Sequence, residues 1–304
     1  MPSLLSNRLA KRVLRPAFTL VEQRLERATN ALQADLDALH HEVADLRRQS
    51  YGLGLLLDHA GRDGHRMPTA TQLDTLVREV SAVTGDDEGT ARRDLTVAYR
   101  TVVALEALGV GRIAGSTSDV CGKLAAIPQL AGPVEDVLEI GTVHGLFAAA
   151  LLRILHRVGT QARLTVVDPL TGAPLRPAPA GAETAAETPV REDVVRANLV
   201  LAGGRTGTEA RIQHGASTDL EVRSAVSDRR YGVVVVSGDP SPAAVLADLE
   251  WAEELLAPGG VVVLDDYGDE GRPGVKEALG TRLAGGSRLT LVGQVARTAF
   301  LRAG

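Results

Sequence analysis

Glycine and acidic residues follow two short apolar segments in the second half of the chain. Gly141 and Gly145 come after the apolar run at 134–140 and precede a helical pattern. Glycine lets the backbone turn tightly and approach a ligand, and the helix N-terminus behind it favours an anionic group. Asp168 ends the next run, where an acid can accept hydrogen bonds from both hydroxyls of a ribose. The G-x-G-x-x-G spacing of nicotinamide enzymes is absent because position 143 is valine.

Further small and acidic residues follow the next three apolar segments. Ala216 and Ser217 come after the third segment and would admit a flat purine ring. Asp239 follows the fourth segment, and the adjacent pair Asp265 and Asp266 follows the fifth. Neighbouring carboxylates at a buried strand end are unfavourable unless a cation, a proton or a donor relieves them. The pattern is compatible with a catalytic base, with a divalent metal site and with solvated loop acids.

The elements that carry these residues alternate between strand-like and helical patterns over residues 115–304. Strands are predicted at 134–140, 164–167, 210–214, 231–236, 261–264, 289–292 and 297–301, and helices at 146–158, 190–202, 220–226, 242–256 and 275–283. This alternation predicts an α/β fold with a Rossmann-like, doubly wound, seven-stranded and mostly parallel sheet. Such sheets bind ligands at the carboxyl ends of their strands, where the strand order reverses. A proline-rich stretch at 172–189 is predicted to be a loop or lid, and a turn is predicted at 257–260.

The N-terminal third is predicted to be a helical and coiled-coil extension. Residues 1–50 contain a helix whose apolar positions recur in steps of three and four: Val21, Leu25, Ala28, Leu32, Leu36, Leu39, Val43 and Leu46. This heptad seam predicts a homo-oligomer formed through a coiled coil, or else a helix packed along its own domain. Residues 51–114 form a helical segment, with helices at 69–83 and 90–108, which packs beside the following domain or against a partner chain.

The combination of segments over 113–304 resembles a known family. The segments that carry the likeness are 137–142 (VLEIGT), 166–169 (VVDP), 247–250 (ADLE), 255–260 (LLAPGG), 264–267 (LDDY) and 273–276 (PGVK). They are similar to those of class I S-adenosylmethionine-dependent methyltransferases. The more specific resemblance is to the bacterial small-molecule O-methyltransferases that include sugar and macrolide-sugar enzymes, the macrocin O-methyltransferase type.

The resemblance implies a cofactor, a reaction and a set of site residues. The cofactor would be S-adenosylmethionine, and the reaction would be methyl transfer to a hydroxyl of a sugar or natural product. The residues implied to bind the cofactor are Glu139, Gly141, Thr142, Gly145, Asp168, Ala216, Ser217 and Asp239. The candidate bases are Asp239 and His144, the latter also compatible with a simple place at a helix N-terminus.

One departure from the family pattern affects whether the chain has a divalent metal site. The fourth strand of these enzymes commonly ends in Asp-Gly-Asp-His, whereas residues 237–240 read Ser-Gly-Asp-Pro. In the metal-dependent members the first acid is a ligand together with the pair matching Asp265 and Asp266. A Mg²⁺ site here would use Asp239, Asp265 and Asp266, with water filling the remaining positions. The same loss leaves open a repurposed or non-catalytic domain that binds the cofactor or serves as an assembly partner.

Composition excludes several other classes. The net charge of −5 and an aromatic content of 3% argue against nucleic-acid binding. No apolar run reaches the roughly 18 residues that span a bilayer, and no signal-peptide core is present. The single cysteine, Cys121, excludes an internal disulfide framework. We therefore expect a cytoplasmic protein that acts on a small-molecule acceptor.

Overall fold

The computed structural model describes residues 23–43, 68–132, 134–172 and 189–304. The chain divides into two compact units, Met1–Tyr51 and Gly52–Gly304. The ends of the predicted seam at Val21 and Leu46, the segment 51–67 and residues 173–188 of the predicted lid lie outside the described residues. At the two ends of that lid, the Gly172 amide donates to the Val190 carbonyl at 3.0 Å. Among the described residues, no helix is long and apolar enough to cross a membrane.

The first unit contains helix α1 (residues 23–43), in agreement with the periodic pattern. Every residue of α1 is exposed, and five of its large apolar side chains are 44–64% exposed. These are Leu25, Leu32, Leu36, Leu39 and Val43. The apolar side chains of the seam in α1 are therefore exposed rather than packed.

The second unit contains the sheet and the remaining helices. The helices are α2 (Ala70–Thr84), α3 (Glu88–Leu108), α4 (Thr117–Ala131), α5 (Leu146–Arg157), α6 (Glu192–Leu199), α7 (Gly204–Thr208), α8 (Leu220–Val226), α9 (Pro242–Leu255) and α10 (Pro273–Ala284), with a 3₁₀ turn at Val200–Ala202. The strands are β1 (Asp136–Ile140), β2 (Arg163–Asp168), β3 (Arg211–His214), β4 (Tyr231–Val236), β5 (Leu256–Leu264), β6 (Leu289–Val295) and β7 (Thr298–Ala303).

The seven strands form one sheet in the order β3-β2-β1-β4-β5-β7-β6. β1 to β5 are parallel, and β7 pairs antiparallel with both β5 and β6. The strand order reverses between β1 and β4, which lie side by side. The predicted Rossmann-like, doubly wound sheet is confirmed, and the reversal marks the edge where a ligand is expected.

Both faces of the sheet are covered, as the valine-rich strands predict. The four consecutive valines of β4, residues 233–236, are at most 3% exposed. α2 to α5 pack on one face, where Leu76, Leu95 and Leu124 share a core with Val263 and Phe300. α9 and α10 contribute to the core on the other face, which includes a fully buried Tyr231. Helices α2 and α3 thus share a core with the sheet that follows them.

Two local features differ from the sequence-based expectation. Helix α4 was not expected, because no apolar stripe marks it: ten of its fifteen residues are buried. A helix buried on most of its surface loses the 3.6-residue pattern that identifies amphipathic helices. The turn expected at 257–260 lies within β5, where the pairing register with β4 shifts between Tyr231 and Val233.

Candidate functional site

The carboxyl ends of β1, β2, β4 and β5 meet at one edge of the sheet, and strained backbone is concentrated there. Among the described residues other than glycine, four have positive φ: Val143, Leu170, Asp266 and Ala296. The first three follow β1, β2 and β5, and only Ala296 lies elsewhere, in the β6–β7 turn. Val143 at φ 59° is notable because β-branched residues rarely adopt this conformation. Such strain persists only where surrounding contacts enforce it, and it clusters at functional sites.

Asp168 supplies the contacts that hold this loop. Its Oδ2 accepts the amides of Thr142 at 2.8 Å and Val143 at 3.1 Å, and its Oδ1 accepts the Leu170 amide at 2.9 Å. The side chain is buried. The predicted ribose-binding acid therefore first fixes the loops after β1 and β2. A carboxylate has about four acceptor positions, so one remains for a ligand hydroxyl.

The two predicted glycines are both required by close packing. Gly141 has φ +82°, and a Cβ there would lie 2.5 Å from the Ser237 carbonyl oxygen after β4. Gly145 begins α5 with φ +75°, and a Cβ there would lie 2.9 Å from Val195 Cγ1. Glycine at these positions brings the loop after β1 close to the loop after β4 and to α6, as the tight-turn interpretation predicts.

Glu139 is a buried carboxyl on β1 beside this loop. It is 3% exposed, and its Oε2 has no hydrogen-bond partner. Burial raises the pKa of Glu139 to about 8, opposed by the Thr142 hydroxyl and assisted by the charge of Asp168. A strand-end carboxyl with such a shift is a candidate functional residue.

His144 lies next to these residues and contacts the loop after α3. Its Nδ1 lies 3.1 Å from the Arg112 carbonyl oxygen, and its ring would be 2.5 Å from a Cβ at Gly111. Its carbonyl accepts from Asn198 Nδ2 at 2.7 Å. The buried ring therefore packs the start of α5 against the loop after α3, and the role of His144 as a base stays a prediction.

A second buried carboxyl lies close to the end of β4. Asp248 on α9 is 1% exposed, and neither of its carboxyl oxygens has a hydrogen-bond partner. A Cβ on Gly238 would lie 3.7 Å from its Oδ2. Burial raises the pKa of Asp248, while the nearby Ser217 hydroxyl lowers it. Ala216 and Ser217, which follow β3, are partly exposed. Asp248 lies within a family-like segment, but no pattern in the sequence marked it as a site residue.

At the ends of β4 and β5, a lysine that sequence reasoning missed pairs with a predicted metal ligand. Lys123 on α4 is 3% exposed, and its Nζ forms an ion pair with Asp265 Oδ2. The same carboxylate accepts Ser237 Oγ at 3.1 Å and Thr298 Oγ1 at 3.2 Å. Lys123 Nζ also lies 4.7 Å from the centroid of the Phe147 ring. Asp265 is thus already neutralised and hydrogen-bonded.

The three acids named as an alternative metal site are each engaged by other groups of the chain. Asp265 is engaged as described, Asp266 pairs with Arg272, and Asp239 Oδ1 accepts the Ser241 amide at 2.9 Å. Over 23–43, 68–132, 134–172 and 189–304, no group of three or more His, Cys, Asp or Glu residues is placed to hold a metal ion. The residues present therefore do not fit a divalent ion in this arrangement, because side chains of the chain itself neutralise the pair at 265–266.

A separate groove lies near the amino edge of the sheet. It has a volume of about 530 Å³ and lies between α3 and the C-terminal ends of α4 and α5. Its lining includes Arg92, Arg93, Arg100 and Arg157. Since α5 starts at the carboxyl edge of β1 and ends before β2, this groove is remote from Gly141 and Asp168.

A known protein family matches the part of the chain that contains these strand ends. Residues 138–267 match a family model described as a methyltransferase domain. The matched segment begins within β1 and ends just after β5, so it contains Glu139, Asp168 and Asp265. No match to a curated protein is found.

Solved structures include several similar chains. Rv0187 from MTB, solved with its cofactor bound, is 21% identical, with 78% of this chain and 98% of that chain covered and a TM-score of 0.47. An O-methyltransferase from Bacillus cereus in complex with SAH is 15% identical, with 84% and 99% covered and a TM-score of 0.43. The O-methyltransferase TomG from Streptomyces achromogenes, in complex with SAM, is 19% identical, with 68% and 88% covered and a TM-score of 0.41. Since these TM-scores are below 0.5, the fold assignment rests on the strand order itself.

The fold and the family match agree for the second unit. Its segment 138–267 matches a methyltransferase domain, and its sheet has the doubly wound strand order that the sequence predicts.

The residues at the strand ends fit S-adenosylmethionine, the cofactor that the family resemblance implies. Its ribose hydroxyls and adenine amine are hydrogen-bond donors, and its amino and sulfonium groups are cationic. The unpartnered oxygens of Glu139 and Asp248 are buried acceptors at the ends of β1 and on α9 beside β4. An acceptor position of Asp168 also remains. The edge therefore offers buried acceptors to a ligand rich in donors and positive charge.

Proposed function

We propose that the chain transfers the methyl group of S-adenosylmethionine to a hydroxyl oxygen of a small-molecule acceptor. The observation that carries the proposal is the edge formed by β1, β2 and β4, where Asp168 fixes the strained loop after β1 beside an unpartnered Glu139. The resemblance to O-methyltransferases supports the choice of oxygen as the methylated atom.

The residues of the chain have separate parts in this proposal. The bound cofactor supplies an activated methyl group, so the protein has to align the acceptor, exclude water and remove a proton. Glu139, Gly141, Thr142, Gly145 and Asp168 shape the cofactor side. Ala216, Ser217 and Asp248 line the place for the adenine ring.

Asp239 is the candidate base. It is exposed at the end of β4, and one backbone amide, that of Ser241, donates to its carboxylate. Its other oxygen can accept the proton of an acceptor hydroxyl. His144 has no part in this proposal because its ring faces the loop after α3.

The proposal is tested by cofactor binding followed by methyl transfer. Calorimetric titration with S-adenosylmethionine and S-adenosylhomocysteine should show binding at one site per chain. Radiolabelled methyl transfer is then measured on a panel of sugar nucleotides, glycosides and hydroxylated natural products, with amines as the comparison. Labelled hydroxyl products are expected, and Asp239→Asn should lower the rate by roughly 10²–10⁴-fold. Labelled amines alone would contradict O-methylation, and failure to bind the cofactor would contradict the whole proposal.

We also propose that α1 mediates self-association. Its apolar seam is exposed in the described segment 23–43, and charged residues flank it. Removal of residues 1–51 should lower the stoichiometry measured by light scattering. A matched variant, Leu32→Glu with Leu39→Glu, should do the same because it places charge in the seam. Unchanged stoichiometry in both proteins would leave the seam without a role in assembly.

A further inference from the structure

The end of β4 lacks an acid at position 237, and a buried lysine stands beside the acid that remains after β5. Ser237 Oγ donates to Asp265 Oδ2, and the Lys123 ammonium pairs with that same oxygen. A neutral hydroxyl at 237 removes one negative charge from the cluster. The acids left at 265 and 266 are then matched by two single cations, Lys123 and Arg272.

The balance of charge explains how Lys123 and Arg272 can take the place of a divalent ion. Two adjacent carboxylates at a buried edge need about two positive charges nearby. A divalent ion would supply both charges, but it also needs several oxygen ligands in a fixed geometry. Here the two charges arrive separately, one from α4 and one from the loop before α10, so the cluster is neutral without an ion.

The lysine is held in place by the packing of its helix. Asp119, one turn earlier on α4, is 2% exposed and accepts the Arg297 amide and Nε, each at 3.0 Å. Arg297 also pairs with Asp269 at 3.1 Å, which ties α4 to the loop after β5. Gly122 lies so close to β6 that a Cβ would be 2.6 Å from Val295 Cγ1. Lys123 is therefore a fixed charge rather than a mobile surface side chain.

We propose that the Lys123 ammonium occupies the position of a divalent cation at the ends of β4 and β5, so that the chain binds no divalent ion there. An ammonium has three N–H donors, and Asp265 takes one of them. In the methyl transfer proposed above, on which this reading of the site rests, the acceptor oxygen meets this ammonium in place of a metal ion.

The test uses Mn²⁺ alone as the probe, with the full-length chain and electron paramagnetic resonance detection. Wild type and the control Lys276→Ala, which removes an exposed lysine, should show no site-specific Mn²⁺ up to about 1 mM. Lys123→Ala frees the carboxylate of Asp265 and should bind Mn²⁺ at least about 10-fold more tightly than wild type. Asp265→Asn in the same background should abolish the gain. Lys123→Gln, which keeps most of the side-chain length, replaces the alanine variant if the latter does not fold.

Two results would overturn the proposal. Stoichiometric Mn²⁺ binding by wild type that Asp265→Asn abolishes would make Asp265 a metal ligand in the native chain. No gain of Mn²⁺ binding in folded Lys123→Ala or Lys123→Gln would show that the lysine does not stand in a cation site. Titration of the same proteins with S-adenosylhomocysteine separates the two proposals. If wild type does not bind this ligand, the methyltransferase proposal is contradicted, whatever the Mn²⁺ result.

Discussion

The two buried acids of β1 stand three residues apart and have opposite surroundings. Asp136, at the amino end, is 4% exposed and pairs with Arg163 at 2.5 Å and with Arg229 at 3.2 Å. Glu139, towards the carboxyl end, is 3% exposed and has an oxygen without any hydrogen-bond partner. One acid is neutralised within the fold, whereas the other is left for something that binds.

This contrast extends to the two edges of the sheet. At the amino edge, ion pairs such as Arg211–Asp228 at 2.9 Å join exposed or partly exposed side chains. At the carboxyl edge, strained backbone and unpartnered carboxyls are retained despite their energetic cost. A fold keeps such features where binding energy later offsets them, which supports the proposed cofactor site at the carboxyl edge.

The largest effect is expected when the acid that holds the strained loop is removed. Asp168→Ala leaves three backbone amides without their acceptor, those of Thr142, Val143 and Leu170. The free energy of unfolding in urea should fall by about 3 kcal/mol or more. Asp219→Ala is the control, because this exposed carboxylate accepts the single amide of Ala216 at 2.9 Å and should cost about 1 kcal/mol or less. Equal losses in both variants would mean that Asp168 has no special role.

The next prediction compares two glycines with positive φ, one at each edge of the sheet, of which only one is crowded by neighbouring atoms. Gly141→Ala places a Cβ 2.5 Å from the Ser237 carbonyl oxygen at φ +82°. Gly159→Ala, in the turn after α5, has φ +88° but no atom within 4 Å of the Cβ. Gly159→Ala should destabilise by about 1 kcal/mol, and Gly141→Ala by at least about 2 kcal/mol more, with loss of cofactor affinity. Similar thermal stability of the two variants would remove the crowding argument.

A smaller effect on stability is expected at the amino edge, with none on binding. Asp136→Ala removes the partner of Arg163 and Arg229, and the first of these is 63% exposed. Water can therefore solvate much of the released charge, and the loss of stability should be about 1–2 kcal/mol. The affinity for S-adenosylhomocysteine in calorimetry should stay within about 2-fold of wild type. A tenfold weaker affinity would show that both edges contribute to the site.

A change of pH sharpens the comparison further. The pKa of Glu139 is raised from 4.5 to about 8, so the folded chain binds a proton that the unfolded chain has released between these pH values. The stability contribution of this group is complete below pH 4.5 and is lost as pH rises towards 8. Glutamine does not titrate, so the Glu139→Gln variant lacks this pH-dependent loss of stability. The free energy of unfolding of the variant, relative to that of wild type, should therefore rise with pH by at most about 1.4 kcal/mol per pH unit. Parallel stability curves for the two proteins would contradict the raised pKa. Asp136→Asn serves as the comparison at the other end of the strand.

Sequence reasoning recovered most of the carboxyl edge but not its charge balance. The seven strands and the residues Glu139, Gly141 and Asp168 follow from local patterns and from the family resemblance, because strand ends and glycine turns are encoded over a few residues. Lys123 and Asp265 are 142 residues apart, and only the folded chain brings them together. Lys123 also lies in α4, whose burial removed the periodicity that would have marked it.

The roles of individual acids were harder to predict than their positions. The sequence places Asp168 at the end of β2, yet its main contacts are with backbone amides of a loop that precedes it by about 26 residues. His144 follows the predicted turn, but its ring direction depends on packing against Gly111. Asp248 lies in the family-like segment 247–250 on α9, but only the folded chain places its buried carboxyl close to Gly238 after β4.

Hydrogen–deuterium exchange with and without S-adenosylhomocysteine tests the central claim most directly, because it compares the two edges in one experiment. We predict slower exchange after β1 at 141–145, after β2 at 168–170 and after β4 at 237–240. We predict no change at the amino edge, in the turn at 158–163 and around Asp136. Protection confined to the amino edge, or no protection anywhere at saturating ligand, would contradict the assignment of the carboxyl edge as the cofactor site.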